Sequence, residues 1–391
     1  MPEGSDPDGR QRAIDSRSAP HLHGQLNIAS GRPLVCAASL ALAALSGGCD
    51  QGPRDDAPAH GPALHIVASY PVNGQGTRAA PGASLDCEPS PECPVPTNVS
   101  IELRFDRFLL PGGGLSAGLL LFTGNKANSI GLTPEYDLLE RVLVYRTDRS
   151  LQPNTLYSLQ IVPAASPPQG IWAFDGAPLV PGEVPLHMSF TTGDGPAPLP
   201  APAPLNTDTC DTIVTGALAS CASCHVTQPG DETVPPTKYP PMGLDLSTSR
   251  GLFYTAIDHV AHQTETGGTA ANVGLETPLR FGVQMNVIDP GYPSTSYLMY
   301  KLLEKPENFR LDSSEPSCAT GYHAPVSDGN CAPPSAAELS QLREWFVRGD
   351  PMPKNSRPFQ DQMPFTAAIS HSTLKRIAGW ISAGAPCPEA R

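Results

Sequence analysis

A run of alternating prolines at residues 194–205 restricts the fold of this chain more than any other feature of its sequence. The run reads Asp-Gly-Pro-Ala-Pro-Leu-Pro-Ala-Pro-Ala-Pro-Leu. Such a tract is extended and semi-rigid, and it cannot pack as a strand or a helix. We therefore expect a linker between two folded blocks, residues 62–193 and residues 206–391.

The composition is that of a folded chain, and it excludes one class of function. The 46 prolines and 36 glycines make up about a fifth of the 391 residues, which is below the level of a wholly disordered chain. Hydrophobic residues at 39% suffice for cores, and abundant proline and glycine favour short strands and long loops over a helical bundle. The net charge of -13 has the wrong sign for binding DNA or RNA, so no nucleic-acid partner is expected.

The N-terminus has the pattern of an export signal. Arg32 precedes an apolar run over residues 33–45, which is too short to span a bilayer and is followed by small residues before Cys49. We interpret residues 1–48 as a signal peptide with an extended N-terminus. Cys49 follows two glycines and resembles the acylated cysteine of a bacterial lipobox, so residues 49–61 are expected to be a tether. The alternative is an ordinary cleaved signal, with Cys49 in a disulfide.

The cysteine content also indicates an exported protein. Ten cysteines are too many for a reducing compartment unless most of them bind something. No later segment has the length of a membrane span, so we expect the membrane to be reached by the lipid anchor only. The expected location is the periplasmic face of a membrane or the cell surface.

The first block has the alternation of an all-β domain. Apolar and polar residues alternate from Val99 to Phe105, as in a strand with one buried face. Val142 and Val144 alternate in the same way, and further apolar segments lie at residues 119–122, 156–161 and 187–190. About seven such strands, separated by Gly and Pro turns, predict a two-sheet sandwich.

Four motifs in this block, taken in order, resemble the bacterial Ig-like domain of S-layer and other surface proteins. They are YPVNG at 70–74, IELRFD at 101–106, LQPNTLY at 151–157 and FTTG at 190–193. The resemblance implies an all-β Ig-like sandwich over residues 62–193 that is a structural spacer or an interaction module. Cys87 and Cys93 lie in a Pro-rich loop, and we expect a disulfide to staple it.

The second block contains the motif C-x-x-C-H, formed by Cys221, Cys224 and His225. In an exported chain this motif is typical of c-type haem attachment. Two thiols three residues apart on one helical turn reach the two vinyl groups of a haem, and the next residue then lies under the ring as proximal iron ligand. The alternatives are a thioredoxin-like redox pair, a zinc site, or a chance disulfide beside a histidine.

An electron-carrying haem iron also needs a sixth ligand. Met363 precedes a predicted amphipathic helix over residues 370–382, whose apolar face contains Leu374, Ile377 and Ile381. Met352 follows another predicted helix, residues 335–348. This helix is expected to begin with a capping box formed by Ser335 and Glu338. Bis-histidine ligation is the alternative, and its candidates are His259, His262, His323 and His371, of which we expect His371 to lie on an exposed polar face.

The order of motifs in this block resembles the monohaem cytochrome c-like domains of planctomycete and myxobacterial exported proteins. The motifs are CASCH at 221–225, GLDLS at 243–247, VIDPGYPSTSYL at 287–298, Met-Pro at 363–364 and IAGWISAGA at 377–385. The resemblance implies a mainly α cytochrome c-like domain over residues 206–391 with one haem c. It selects Met363 as distal ligand, with Met352 as runner-up, because the family's axial methionine belongs to a Met-Pro pair just before the final helix.

The resemblance also implies disulfides for the remaining cysteines. Residues 305–334 look like an insertion into the family pattern, and Cys318 and Cys331 are expected to close it. Cytochrome c folds bring the first and last helices together, which implies a bond between Cys210 and Cys387.

The whole sequence therefore predicts a multidomain chain, an all-β sandwich followed by a mainly α haem domain. Its expected function is to pass single electrons to an unidentified redox partner protein, rather than to convert a substrate. Two other hypotheses are a haem peroxidase or gas-binding sensor, and a surface adhesion or scaffold protein with a structural haem.

Overall fold

A computed structural model describes most of both blocks. The described residues are 61–111, 114–163, 170–198, 206–222, 224–227, 243–261, 285–305, 334–345 and 369–388, with 308, 322, 323, 326, 347 and 352. The signal peptide, residues 49–60 of the tether and the predicted residues Cys49, His262, Cys318, Cys331 and Met363 lie outside them. The chain from Gln51 to Arg391 forms one compact unit.

The described part of the first block consists of two antiparallel four-stranded sheets. The first sheet has the order β1 (Ile66–Tyr70), β2 (Ser100–Phe105), β6 (Val142–Thr147), β5 (Leu132–Asp137). The second has the order β4 (Ser129–Ile130), β3 (Leu119–Phe122), β7 (Leu156–Ile161), β8 (His187–Thr191). The Ser69 hydroxyl donates to Met188 Sδ across the two sheets, at 3.6 Å, and buried apolar side chains fill the space between them. The predicted β-rich block is confirmed.

The strand register assigns the side chains of the first sheet to two faces. Leu103 lies opposite Ser69 on the face toward the second sheet. The other face, which we call the outer face, contains Tyr70, Glu102, Arg104, Val142, Val144, Glu135 and Asp137, because these residues are cross-strand partners of one another or two positions apart.

The polar residues of β2 do not face solvent, and the expectation of a strand with one exposed face was wrong. Glu102 is only 3% exposed and Arg104 only 5%. The second block covers them. The Arg104 Nε–H donates to the Val326 carbonyl at 2.6 Å, and Glu102 accepts from the His323 backbone N–H at 2.9 Å.

The described α-helices lie in the second block. They are α1 (Cys210–Thr212), which continues as a π-helical turn over Ile213–Ala217, α2 (Ser249–Thr255), α3 (Tyr297–Leu303), α4 (Ala336–Trp345) and α5 (His371–Ser382). The Ser370 side chain caps α5 by accepting from the Thr373 N–H, and Leu374, Ile377 and Ile381 are fully buried as the amphipathic pattern predicted. Within the ranges given above, no helix combines the length and apolar character needed to cross a membrane.

Two expectations about these helices need correction. The Ser335 hydroxyl accepts from the Glu338 N–H at 3.1 Å, but the Glu338 carboxylate does not close a capping box. It accepts instead from Arg107 Nε at 2.7 Å and from the Phe108 N–H at 3.0 Å, both in the first block. His371 is 1% exposed rather than on an exposed polar face, because the first turn of α5 packs against the first sheet.

Two of the expected disulfides lie within the described residues. Cys87–Cys93 closes the Pro-rich loop, and Cys210–Cys387 joins the start of α1 to the residues after α5. The Cys210 N–H also donates to the Pro386 carbonyl at 3.0 Å, and Arg376 of α5 pairs with Asp208. The first and last helices of the block are therefore held side by side.

Candidate functional site

The C-x-x-C-H motif forms a helical turn directly after α1 and its π-helical extension. The Cys221 N–H donates to the Leu218 carbonyl at 2.8 Å, and the Cys221 carbonyl accepts from Cys224 N at 3.1 Å and His225 N at 2.9 Å. Both cysteines and the histidine belong to this turn. Cys221 is buried, with 8% of its surface exposed, whereas Cys224 is exposed.

The imidazole of His225 is held in one tautomer. Its Nδ1 lies 3.2 Å from the backbone carbonyl of Leu244. Because a carbonyl oxygen can only accept, Nδ1 carries the proton and Nε2 keeps its lone pair. Burial lowers the pKa of His225, which favours the neutral ring further. A neutral imidazole with a free Nε2 lone pair is the form that ligates a metal.

The Leu244 carbonyl is itself held in place by Asp245. The Asp245 carboxylate accepts from the Ser247 N–H at 2.9 Å, from the Ser247 hydroxyl at 2.6 Å and from the Thr227 N–H at 3.3 Å. Burial alone would raise the pKa of Asp245, but these hydrogen bonds outweigh it and lower the pKa, so the group is ionised. The carboxylate thus joins the residues just after His225 to the segment that carries the accepting carbonyl.

The same segment is fastened on its other side to α2. The Asp245 N–H donates to Thr255 Oγ1 at 2.9 Å, and the Leu246 N–H donates to the His225 carbonyl at 2.9 Å. At Gly251 a Cβ atom would lie 2.7 Å from Asp245 Cγ, so only glycine allows this close approach. Residues 243–247 are therefore a rigid support for the His225 ring.

Sequence reasoning missed the roles of Leu244 and Asp245. The motif GLDLS at 243–247 contains both residues, but a backbone acceptor has no side-chain signature in a sequence. The sequence did contain one indication of a structured turn here, the polar residues Asp245, Ser247 and Thr248. An Asp followed by a Ser two residues later is typical of a turn in which the Asp side chain bonds the backbone.

The candidate sixth ligands lie in different surroundings. Met352 is partly buried, and its carbonyl accepts from Asn308 Nδ2 at 3.4 Å. His259 is exposed. His323 and His371 lie against carboxylates of the first block, with His323 Nδ1 2.8 Å from Glu102 Oε1 and His371 Nε2 3.6 Å from Glu140 Oε1. The structure does not bring any of them to His225 among the described contacts.

The donor set at this turn fits a covalently attached haem. Covalent attachment uses two thiols, and ligation of the iron uses one imidazole nitrogen. Cys221, Cys224 and the Nε2 of His225 supply these groups on one turn. Among the residues that the structure describes, no group of three or more His, Cys, Asp or Glu side chains is arranged to hold a bare metal ion.

Comparison with known proteins leaves the chain without an assigned family. No family model matches it, and no curated protein matches it. Among solved structures, domains 1–6 of the surface layer protein SbsC match 36% of this chain and 14% of that chain at 9% identity and a TM-score of 0.22. The N-terminal part of SbsC matches 38% of this chain and 27% of that chain at 9% identity and a TM-score of 0.22. This chain therefore spans only a small part of those proteins.

Proposed function

We propose that the mature chain is an exported c-type cytochrome that carries single electrons on one haem c. The haem would be bound covalently through Cys221 and Cys224, with His225 as proximal iron ligand. One observation carries the proposal: the hydrogen bond from His225 Nδ1 to the Leu244 carbonyl, on a helical turn that already contains both thiols.

The chain's own residues would position the group rather than perform chemistry on a substrate. The turn from Cys221 to His225 sets the spacing of the two thioether bonds and of the imidazole. The Leu244 carbonyl fixes the ring orientation and makes Nε2 more basic, as partners of metal-bound histidines do. When bound, the haem supplies an iron that cycles between Fe(II) and Fe(III). The Asp245 carboxylate stabilises this arrangement because it accepts hydrogen bonds from Thr227, just after the haem motif, and from Ser247, in the segment that contains Leu244.

The packing of α1 against α5 supports a cytochrome c-like arrangement for residues 206–391. The Cys210–Cys387 disulfide and the pairing of Arg376 Nε with Asp208, at 2.9 Å, hold the first and last helices together. For residues 62–193, the antiparallel two-sheet order supports the proposal of an Ig-like sandwich.

We propose Met363 as the distal ligand and Met352 as the second candidate. The choice rests on the Met-Pro pair before the final helix. Asn308 contacts the described residues on either side of the stretch that contains Met363. Its side chain donates to the Met352 carbonyl at 3.4 Å and accepts from the Ile369 N–H at 3.0 Å. Met352 and Ile369, which precede and follow residues 353–368, are therefore both hydrogen-bonded to one buried side chain.

The proposed location follows from the N-terminal pattern. A signal over residues 1–48 and lipidation of Cys49 would place the protein at the periplasmic face of a membrane or at the cell surface. The electron partner would be another protein. A net charge of -13 favours a partner with a basic surface, because opposite charge speeds encounter.

Covalent attachment is the direct test of this proposal. The mature chain, produced with a c-type maturation system, should keep its haem after acid extraction and gain the mass of one haem in intact-mass spectrometry. Replacing Cys221 and Cys224 by Ser should abolish that mass. The matched control is the pair Cys87→Ser and Cys93→Ser, which removes a disulfide elsewhere and should keep the haem. A parent protein without bound haem would contradict the proposal.

A further inference from the structure

Glu140 is a buried carboxylate that the proposed haem function does not use. It lies in the turn between β5 and β6, at the contact between the first sheet and α5, and it is 4% exposed. Its Oε1 lies 3.6 Å from His371 Nε2 and 3.7 Å from Lys375 Nζ, and its Oε2 lies 3.9 Å from Arg104 Nη2. These are contacts between charges at more than hydrogen-bond length, and Oε1 accepts no hydrogen bond among the described residues.

Charged and titratable groups surround Glu140 on each described element that packs against it. The turn contributes Arg141, β2 contributes Arg104 and Glu102, β5 contributes Asp137, α5 contributes His371 and Lys375, and the segment at 322–323 contributes Tyr322 and His323. Burial is the largest influence and the negative charge of Asp137 adds to it, so the pKa of Glu140 is raised to about 7 although Lys375, Arg104 and Arg141 oppose the rise.

We infer that Glu140 is a proton-binding site through which pH controls how firmly the first turn of α5 is held against the first sheet. The exchange is simple: the carboxylate takes one proton from solvent and becomes a neutral acid, and it returns that proton as the pH rises. The inference goes beyond the proposed electron transfer and does not depend on bound haem.

The physical reason lies in what each form needs at this position. A neutral acid carries no charge, so burying it at this position costs little free energy. An ionised carboxylate needs hydrogen bonds, and the surrounding nitrogens lie too far away to donate well. The ionised form therefore favours a small separation of α5 from the sheet, where water can solvate Glu140.

The sign of the effect follows from linkage. A carboxyl whose pKa is raised in the docked state binds its proton more tightly there than in the opened state, so docking is strongest at low pH. This extra stability of the docked state is lost as the pH rises from the ordinary glutamate pKa of about 4.5 through the docked-state pKa of about 7. Between pH 6 and pH 8 the opening equilibrium should rise by about tenfold.

Hydrogen exchange on the full mature chain tests this. After correction for the intrinsic pH dependence of exchange, amides of α5 such as Leu374, which donates to the Ser370 carbonyl, should open about tenfold more at pH 8 than at pH 6. Glu140→Gln should remove this difference. The control is Glu135→Gln, since Glu135 is 64% exposed and paired with Arg146, and it should behave as the parent does.

An infrared measurement keeps the inference testable if Glu140→Gln does not fold. The parent should show the C=O stretch of a protonated carboxylic acid at pH 6 that disappears on raising the pH to 8. Absence of such a band in the parent would overturn the inference. So would opening of α5 that does not change with pH, because Glu140 would then not control the contact.

Discussion

At the residue scale, the buried side chain of Arg107 links the two blocks. This buried guanidinium lies between two carboxylates, with Nε 2.7 Å from Glu338 Oε2 and Nη2 2.8 Å from Asp175 Oδ2. Burial lowers its pKa, but the hydrogen bond to Asp175 and the charge of Glu338 outweigh burial and raise it, so the charge persists. Glu338 belongs to α4, which makes this ion pair a contact between blocks.

Removing the Glu338 carboxylate should therefore lower the stability of the folded chain. Glu338→Ala leaves Arg107 with one carboxylate, that of Asp175, and leaves the Phe108 N–H without an acceptor among the described residues. We expect the free energy of unfolding to fall by about 3–5 kcal/mol. The matched control is Glu135→Ala, whose ion pair with Arg146 is 64% exposed on both sides and should matter by about 1 kcal/mol or less. Urea denaturation measures both, and equal effects would contradict this account.

Part of the candidate site could be predicted from the sequence, and the orientation of one side chain could not. The spacing of Cys221, Cys224 and His225 predicted one turn, because a helical turn depends on sequence separation alone. The orientation of the His225 ring depends on the backbone carbonyl of Leu244, nineteen residues further along. Every residue type has such a carbonyl, so no pattern of side chains could identify it.

At the scale of elements, β2 illustrates a second limit of prediction. The alternation from Val99 to Phe105 predicted the strand and the face that packs in the sandwich, because strands place alternate residues on opposite faces. It also suggested that Glu102 and Arg104 are solvated. Their cover comes from His323 and Val326, more than two hundred residues later, and periodicity contains no information about such distant contacts.

The two disulfides differ in how much they constrain the chain. Cys210–Cys387 joins residues 177 apart and holds α1 beside α5, whereas Cys87–Cys93 joins residues 6 apart. Loop-closure entropy is larger for the longer loop, about 5 kcal/mol against about 2 kcal/mol. We expect the double Ser variant at 210 and 387 to lower the melting temperature clearly more than the double Ser variant at 87 and 93. Calorimetry compares them, and a larger loss in the 87/93 variant would contradict the expected order.

At the scale of the whole molecule, the proline tract joins blocks that touch. The second block covers part of the outer face of the first sheet. The contacts are the Tyr322 hydroxyl on Asp137 at 2.6 Å, the stack of His323 on Tyr70 at 3.9 Å, and the contact of α5 with Glu140. The ring of Phe108 also packs edge-on against Tyr300 of α3, with centroids 6.4 Å apart. The sandwich therefore packs against the second block and also joins that block to the N-terminal segment of the chain.

Cutting the linker tests this picture. A protease site inserted between residues 199 and 205 should allow cleavage without separation, because the contacts between blocks do not pass through the linker. The two fragments should elute together in size-exclusion chromatography at moderate salt. The same cleavage in Glu338→Ala should promote their separation, since the buried pair with Arg107 is lost. Fragments that separate at once in the parent would contradict a shared interface.

The absorption spectrum of the mature protein, made with a c-type maturation system, tests the central claim most directly. The account predicts a covalent low-spin haem whose weak far-red sulfur-to-iron band is lost in Met363→Ala and kept in Met352→Ala, with His225→Ala losing the low-spin spectrum. Loss of the band only in Met352→Ala would keep the function and change the ligand. A high-spin parent spectrum would contradict an electron carrier and favour ligand binding or peroxide chemistry, and a parent without covalent haem would contradict the cytochrome proposal itself.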